Sequence, residues 1–128
     1  MTIQNGKRRS DLLTFIELRP FSDGWRELGL TDDDAMALEI AIMRQPKGFP
    51  VVKGTGGLRK MRFAPARWRK GKSGALRVGY VYLERYGTII LVIAYAKGEK
   101  GDLTLDEKKA IRKLLSRVEQ DFAQGKIR

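Results

Sequence analysis

The spacing of apolar residues predicts one strand and two helices in the first third of the chain. Leu12–Leu18 is a short apolar run that ends before Pro20, which is typical of a strand. A first helix is expected to begin at Ser22, which can cap it, and to stop at Gly29. The chain therefore opens with a strand that is followed by a short helix.

A second, longer helix is expected between Thr31, which can cap it, and Pro46, which ends it. Three aspartates, Asp32–Asp34, fill its first turn, where negative charge meets the positive end of the helix dipole. That position accounts for the acidic run, so we assign no metal site to it. The apolar stripe of this helix consists of Ala35, Leu38, Ala41 and Ile42, widened by Met36, Ile40 and Met43.

Three strands with short connections are expected next, and they should form an antiparallel meander. Leu58–Ala64 and Leu76–Glu84 alternate along their length, whereas Thr88–Ala96 is apolar on both faces, as in a central strand. The alternation places Lys60 and Arg62 on the same face of their strand. On the next strand one face carries Arg77, Gly79 and Val81, and the other, expected in the core, carries Leu76, Val78, Tyr80 and Tyr82.

A last helix is expected to begin after Thr104, which forms a capping-box sequence with Glu107. Its apolar stripe consists of Leu105, Ile111, Leu114, Leu115, Val118 and Phe122. The order β-α-α-β-β-β-α predicts an α+β fold, in which a small antiparallel sheet has its helices packed on one face. The other face is left to side chains outside the core, which include Lys60, Arg62 and Arg77.

A chain of 128 residues suffices for one domain, so we expect a single domain over residues 12–128 behind a loose tail of residues 1–11. The longest apolar run, Ile89–Ala96, is eight residues long. A helix that spans a bilayer needs roughly 20. No apolar segment follows the basic residues near the N-terminus, so no secretion signal is expected. We therefore expect a cytoplasmic protein without a membrane partner.

The chain contains neither cysteine nor histidine. This composition excludes disulfides, thiol nucleophiles, Cys/His zinc sites and Ser-His-Asp triads. In an enzyme of this composition, the acid and base would come from Lys, Arg, Tyr, Asp or Glu side chains or from the substrate. We expect no cofactor and no metal.

The net charge of +11 is concentrated in one segment of the chain. Residues 40–83, here called the basic block, contain no acidic residue and eleven basic ones, while the rest of the chain carries equal numbers of each sign. Protein surfaces usually mix both signs, so a segment of one sign favours a polyanionic partner, above all nucleic acid. A membrane surface, an acidic protein partner and a basic surface without a partner are the alternatives.

Side chains in and near the basic block are candidates for RNA contacts, because cationic groups bind phosphate and aromatic rings stack on bases. Trp68, flanked by Arg67 and Arg69 in an expected loop, can either contact a base or anchor the loop. The glycine cluster of residues 54–57 is expected to turn the backbone rather than to bind a nucleotide, because no Lys-Ser/Thr pair follows it. The RNA-contact candidates are Arg59, Arg67, Trp68, Arg69, Lys70, Lys72 and Tyr95.

Three motifs, in this order and spacing, resemble the RelE/HigB family of bacterial type II toxins. They are GTGGLRKMR at residues 54–62, GALRVGY at 74–80, and YAKGEK at 95–100 followed by Asp102-Leu103-Thr104. The resemblance spans roughly residues 12–122. It implies a small antiparallel sheet with helices on one face and an endonuclease that cuts mRNA on the ribosome. It also implies a cognate antitoxin, expected to be a helix-turn-helix protein, that holds the enzyme inactive.

The same resemblance implies roles for four basic residues. Lys60 and Arg62 match the basic pair that lines the family's active site. Arg77 matches the arginine that binds the scissile phosphate, and Lys97 matches the basic residue that serves the leaving group. The chain departs from members that use a catalytic tyrosine or histidines, since residues 98–128 contain no tyrosine and the whole chain contains no histidine.

The predicted reaction is metal-independent cleavage in which the substrate's own 2′-hydroxyl attacks the adjacent phosphate. Lys60 is the candidate base, because clustered positive charge favours its neutral form. Arg62 and Arg77 would bind the phosphate, and Lys97 would act as the acid. A non-catalytic RNA-binding module is one alternative. A toxin of the same fold that poisons DNA gyrase is the other, although such relatives lack this set of basic residues.

Overall fold

The computed structural model describes residues 13–68, 75–96 and 102–126. These residues form an α+β fold in the order β-α-α-β-β-β-α, which confirms the predicted class and element order. The tail expected at residues 1–11 lies outside the described residues. The elements are β1 (Thr14–Glu17), α1 (Arg19–Glu27), α2 (Asp32–Arg44), β2 (Arg59–Phe63), β3 (Leu76–Leu83), β4 (Thr88–Ala96) and α3 (Leu105–Ala123).

The four strands form one sheet in the order β1-β4-β3-β2. β2, β3 and β4 pair antiparallel, which confirms the predicted meander. β1 pairs parallel with β4, with Thr14 opposite Thr88, so the sheet is mixed and the prediction of a wholly antiparallel sheet is wrong. A short hairpin would force antiparallel pairing, but the long connection between β1 and β4 allows the parallel arrangement.

The helices cover both faces of the sheet, so the prediction that they pack on one face is wrong. α1 and α2 pack on the face that contains Phe15, Val78 and Leu91. α3 packs on the opposite face, where Leu115 belongs to the same buried cluster as Ile90. The physical reason lies in β4, which is apolar on both faces, because each apolar face must be covered to be removed from water.

α1 begins three residues before Ser22, the residue from which the sequence predicts it to start. Pro20 lies in its first turn, where a helix needs no backbone N–H donor. The Ser22 hydroxyl instead donates to Glu17 Oε1 at 2.6 Å and ties α1 to the end of β1. The caps predicted for the other two helices are confirmed, since Thr31 and Thr104 each form a capping box.

The buried stripe of each long helix is narrower than the apolar spacing predicts. In α3 Leu105 and Leu114 are exposed, and in α2 Met36 and Ile40 are nearly half exposed. A helix that packs on a sheet buries one stripe of side chains and leaves the flanking positions in solvent. The buried positions of α3 are accordingly Ile111, Leu115, Val118 and Phe122.

α1 approaches β4 closely because a glycine lies in the middle of the helix. A Cβ at Gly24 would overlap the carbonyl oxygen of Ala94. Phe21 and Trp25, on either side of Gly24 in the sequence, are buried and stack with ring centroids 5.1 Å apart. The missing side chain therefore allows the helix to bring both rings into the core.

Candidate active site

The pairing of β2 with β3 brings three basic side chains to one face of the sheet. Arg62 lies opposite Arg77 in the antiparallel register, and Lys60 lies opposite Gly79. Val81 has the same parity as Arg77 and is buried in the core beneath α3, so the three cations belong to the α3 side. The shared face predicted from the alternation of these strands is confirmed.

These cations line a cleft rather than an open sheet face. The cleft has a volume of about 560 Å³ and lies beside β2, which is an edge strand. α3 packs over other parts of this face, and none of the described residues that line the cleft belongs to α3. The lining consists of Phe49, Pro50, Lys60, Met61, Arg62, Arg77 and Asp102.

Arg77 is the most buried of the three cations. Only 8% of its surface is exposed, and its Nη1 is buried without a hydrogen-bond partner among the described residues. A guanidinium nitrogen in this position is shielded from water and has no acceptor in its place, which is unfavourable. A phosphate oxygen in the cleft would supply the missing acceptor.

Tyr95 lies beside Arg77, as its register partner on β4, and is also buried. Burial raises the pKa of the Tyr95 hydroxyl above its ordinary value of 10, an effect that the charge of Arg77 opposes and the carboxylate of Asp102 reinforces. The hydroxyl is therefore protonated at neutral pH and is a hydrogen-bond donor. Among the described RNA-contact candidates, Tyr95 is the one that the strand register places next to a cleft residue.

Asp102 brings to the cleft a carboxylate that the sequence reasoning did not include. Its Oδ1 accepts a hydrogen bond from Lys60 Nζ at 3.3 Å, and its side chain is largely exposed. The following residue, Leu103, is buried in the core beneath α3 and fixes this segment against the sheet. Asp102 stands in the third sequence motif, but nothing in that pattern indicated that it faces Lys60.

Arg59 lies on the opposite face of the sheet from the cleft cations and does not line the cleft. It lies opposite Tyr80, on the α1/α2 side of the sheet. Its Nη1 donates to the carbonyl oxygens of Lys47 at 3.1 Å and Phe49 at 2.7 Å. Phe49 and Pro50 form part of the cleft lining, so Arg59 holds that wall in place.

Arg67 and Trp68 belong to the α1/α2 layer. Arg67 donates to a carboxylate oxygen of Asp34 and, at 3.4 Å, to the carbonyl oxygen of Gly29. Trp68 is partly buried against the core beneath α1 and α2, where it anchors its loop. The structure therefore does not bring either residue into the cleft. The other candidates lie outside the described residues; they are Arg69, Lys70, Lys72 and Lys97.

Tyr80 and Tyr82 belong to the core, as the strand alternation predicts. Tyr80 is fully buried, and its hydroxyl donates to the carbonyl oxygen of Pro46 at 2.7 Å. Burial raises the pKa of Tyr80 to about 12. Tyr82 is partly buried and packs against the same core. These two rings therefore serve packing and do not face the cleft.

No protein-family model matches the chain. Within the described ranges, no group of three or more acidic side chains is arranged to hold a metal ion. None of the helices there is long and apolar enough to cross a membrane. The chemistry of the cleft comes from two guanidinium groups, one ammonium group and one carboxylate. Such a set can bind a phosphodiester and exchange protons with it.

Proposed function

We propose that this protein is a metal-independent endoribonuclease that cleaves mRNA on the ribosome, as the toxin of a toxin–antitoxin pair. The observation that carries the proposal is the grouping of Lys60, Arg62 and Arg77 in one cleft, where Arg77 Nη1 lacks a partner among the described residues. The cleft supports an anionic substrate. The resemblance of the three sequence motifs to RelE/HigB toxins supports mRNA on the ribosome as that substrate.

In the proposed reaction, the 2′-oxygen of one nucleotide forms a bond to the adjacent phosphorus, and the bond from phosphorus to the 5′-oxygen breaks. Arg62 and Arg77 bind the phosphate oxygens and stabilise the charge that develops on them. Asp102, or Lys60 once its ammonium group has lost a proton, receives the proton of the 2′-hydroxyl. Lys97 or Tyr95 donates a proton to the departing 5′-oxygen. The products carry a 2′,3′-cyclic phosphate and a 5′-hydroxyl.

The proposal implies a protein partner besides mRNA. A cognate antitoxin, which we expect to be a helix-turn-helix protein, would hold the toxin inactive in the cytoplasm. An acidic segment that covers the cleft would neutralise part of the basic block and exclude RNA at the same time. The concentration of positive charge in residues 40–83 favours this direct mode of inhibition.

The test is to add the purified protein to ribosomes that carry a defined mRNA and to map both new ends. The expected 3′ ends are 2′,3′-cyclic or 3′-phosphate, because the attacking oxygen comes from the substrate. Any residual cleavage of ribosome-free RNA should be undiminished by EDTA. Products that end in a 3′-hydroxyl would contradict the mechanism.

Arg77→Gln removes the confined cation and should reduce the cleavage rate by about 100-fold or more, since the phosphate is then without a positioned charge. Arg44→Gln is the matched control, because it removes the same charge from an exposed position on α2. The control should cleave like the wild type, and thermal unfolding should show that both variants are folded. A wild-type protein that binds RNA without cutting it would be a non-catalytic module, and one that inhibits DNA gyrase instead would be a gyrase poison.

A further inference from the structure

α3 carries a run of basic side chains that the cleft does not explain. No acidic residue occurs between Glu107 and Glu119. The acidic residues of the helix lie near its two ends, and those in the first turn belong to the cap region. The basic residues between them occupy exposed or half-exposed positions. These cations, here called the α3 stripe, are Lys108, Lys109, Arg112, Lys113 and Arg117.

The α3 stripe places like charges next to one another. Residues four positions apart in a helix are neighbours, about 6 Å apart along its axis. Three pairs of the stripe have this spacing: Lys108 with Arg112, Lys109 with Lys113, and Lys113 with Arg117. Such pairs destabilise a helix. None of the five cations forms an ion pair within 4 Å with a described residue. Asp106 and Asp121 lie at helical spacing from Lys109 and Arg117, so the cations in the middle of the stripe are the least compensated.

The loop that precedes β2 lies against the stripe and adds a cation to it. The loop turns on three glycines with positive φ. A Cβ at Gly56 would lie 3.2 Å from Arg112 Cγ, and one at Gly54 would lie 3.8 Å from Lys108 Cδ. The backbone can therefore pack directly on the stems of these cations. Lys53, next to Gly54 in the chain, is exposed at this edge of the stripe.

The stripe is also continuous with the cleft. A second hollow, of about 300 Å³, shares Pro50, Lys60 and Asp102 with the cleft. Lys108, the first residue of the stripe, lines this hollow. Basic side chains therefore extend from Arg77 through Lys60 to the outer surface of α3, with Asp102 as the acidic member that the two hollows share among the described residues.

We infer that the α3 stripe, together with Lys53, is a docking surface for the phosphate backbone of double-helical RNA. The choice of RNA rests on the proposed function, in which the duplex would be a segment of ribosomal RNA near the bound mRNA. A row of cations along a helix suits the regular charges of a nucleic acid strand, and bound phosphates would remove the repulsion within the stripe. An acidic protein would need apolar anchors at the centre of its interface. Between Lys108 and Arg117 the exposed large apolar side chain is Leu114, at 36%. Leu105 and Val51 are also exposed, but they lie beside the N-terminal end of the stripe and not at its centre.

The test compares two triple variants of the full chain that lose the same charge. The first, Lys109→Gln with Lys113→Gln and Arg117→Gln, neutralises the stripe. The control, Arg19→Gln with Arg26→Gln and Arg44→Gln, neutralises exposed positions on α1 and α2, on the other side of the sheet. The probe is an RNA duplex of about 20 base pairs, slightly longer than the roughly 16 base pairs that a double-stranded-RNA-binding domain spans. Its affinity is measured between about 50 and 200 mM salt. Thermal unfolding confirms that both variants are folded.

The stripe variant should bind the duplex at least about 10-fold more weakly than the wild type. Its salt slope should fall by roughly 2 to 3, close to one for each phosphate that the variant no longer neutralises. The control should change the slope by less than one. Equal slopes for the two variants would overturn the inference, and so would a stripe variant that binds the duplex as tightly as the wild type. The assay needs no cleavage, so a wild-type protein that fails to cut mRNA would refute the proposed function and still leave this measurement decisive.

Discussion

Asp34 and Arg77 are both buried charged residues, but their surroundings differ. Asp34 accepts hydrogen bonds from the Thr31 backbone N–H at 2.9 Å and from Arg67. Arg77 has a buried nitrogen with no acceptor among the described residues. A buried charge with hydrogen-bond partners stabilises the fold, whereas a buried charge without a partner is stabilised most by a bound ligand. This contrast separates the structural pair from the functional candidate.

The pairing of Asp34 with Arg67 predicts that the protein loses stability in acid. The Arg67 hydrogen bond holds the pKa of Asp34 below its ordinary value of 3.8. A carboxyl whose pKa is lowered by folding stabilises the protein above the unfolded pKa, and that contribution disappears as the pH falls through the folded pKa. Asp34→Asn should therefore lower the free energy of unfolding by about 1–2 kcal/mol at neutral pH. Urea unfolding at pH 7 and near pH 2 should show this difference shrinking in acid.

Asp33→Asn is the matched control for this measurement. Asp33 is exposed and lies in the same first turn of α2, so its removal affects mainly the interaction with the helix dipole. Its effect at neutral pH should be about 0.5 kcal/mol. Equal effects for the two variants would mean that the ion pair with Arg67 adds nothing to the charge at the helix end.

At the scale of elements, Gly24 shows packing overriding helix propensity. Alanine normally stabilises a helix interior by about 1 kcal/mol relative to glycine. A Cβ at Gly24 would overlap the backbone of Ala94, which cannot move without disturbing β4. We expect Gly24→Ala to destabilise the protein by about 1–3 kcal/mol or more, as measured by thermal or denaturant unfolding. An increase in stability would show that α1 can move away from the sheet without cost.

The reverse substitution, Ala37→Gly, calibrates this result. Ala37 is an exposed residue of α2, so the change should cost only the ordinary difference in propensity, about 1 kcal/mol. A destabilisation by Gly24→Ala that exceeds this value assigns the effect to the contact with β4.

The sequence predicts elements well where the local signal and the final contacts agree. Thr31 and Thr104 are read correctly as caps, because a capping box is complete within four residues. Leu105 and Leu114 are wrongly placed in the core, because apolar spacing does not say how wide a stripe the neighbouring sheet covers. The parallel pairing of β1 with β4 could not be predicted either, because it depends on contacts between distant parts of the chain.

The candidate site, too, could be predicted only in the part that depends on local sequence pattern. The shared face of Lys60, Arg62 and Arg77 could be read from period-two alternation. That these cations line a cleft could not, because the walls come from Phe49 and from Asp102, which are far from β3 in the sequence. The charges of α3 are nearly balanced in number, so composition alone does not single out this helix. The run of cations indicates a charged surface only when the structure shows which face of the helix is buried.

At the scale of the whole molecule, the net charge of +11 should make stability depend on salt. Like charges repel one another in the folded state, and added salt screens that repulsion. We expect the melting temperature to rise by a few degrees between about 20 and 300 mM NaCl. The variant with the neutralised α3 stripe should show a smaller rise. A melting temperature that falls with salt would mean that attractive ion pairs dominate the surface.

The position of β4 determines when the molecule can assemble during synthesis. β4 is the partner of both β1 and β3, and α1 packs on it, yet it ends about three quarters of the way along the chain. A nascent chain that stops before residue 88 has β1 without a sheet to join and β3 with one edge unpaired. Pairing between such distant segments has to wait until both have been made. The cleft therefore cannot form until both β4 and Asp102, which lines the cleft, have been synthesised and have emerged from the ribosome.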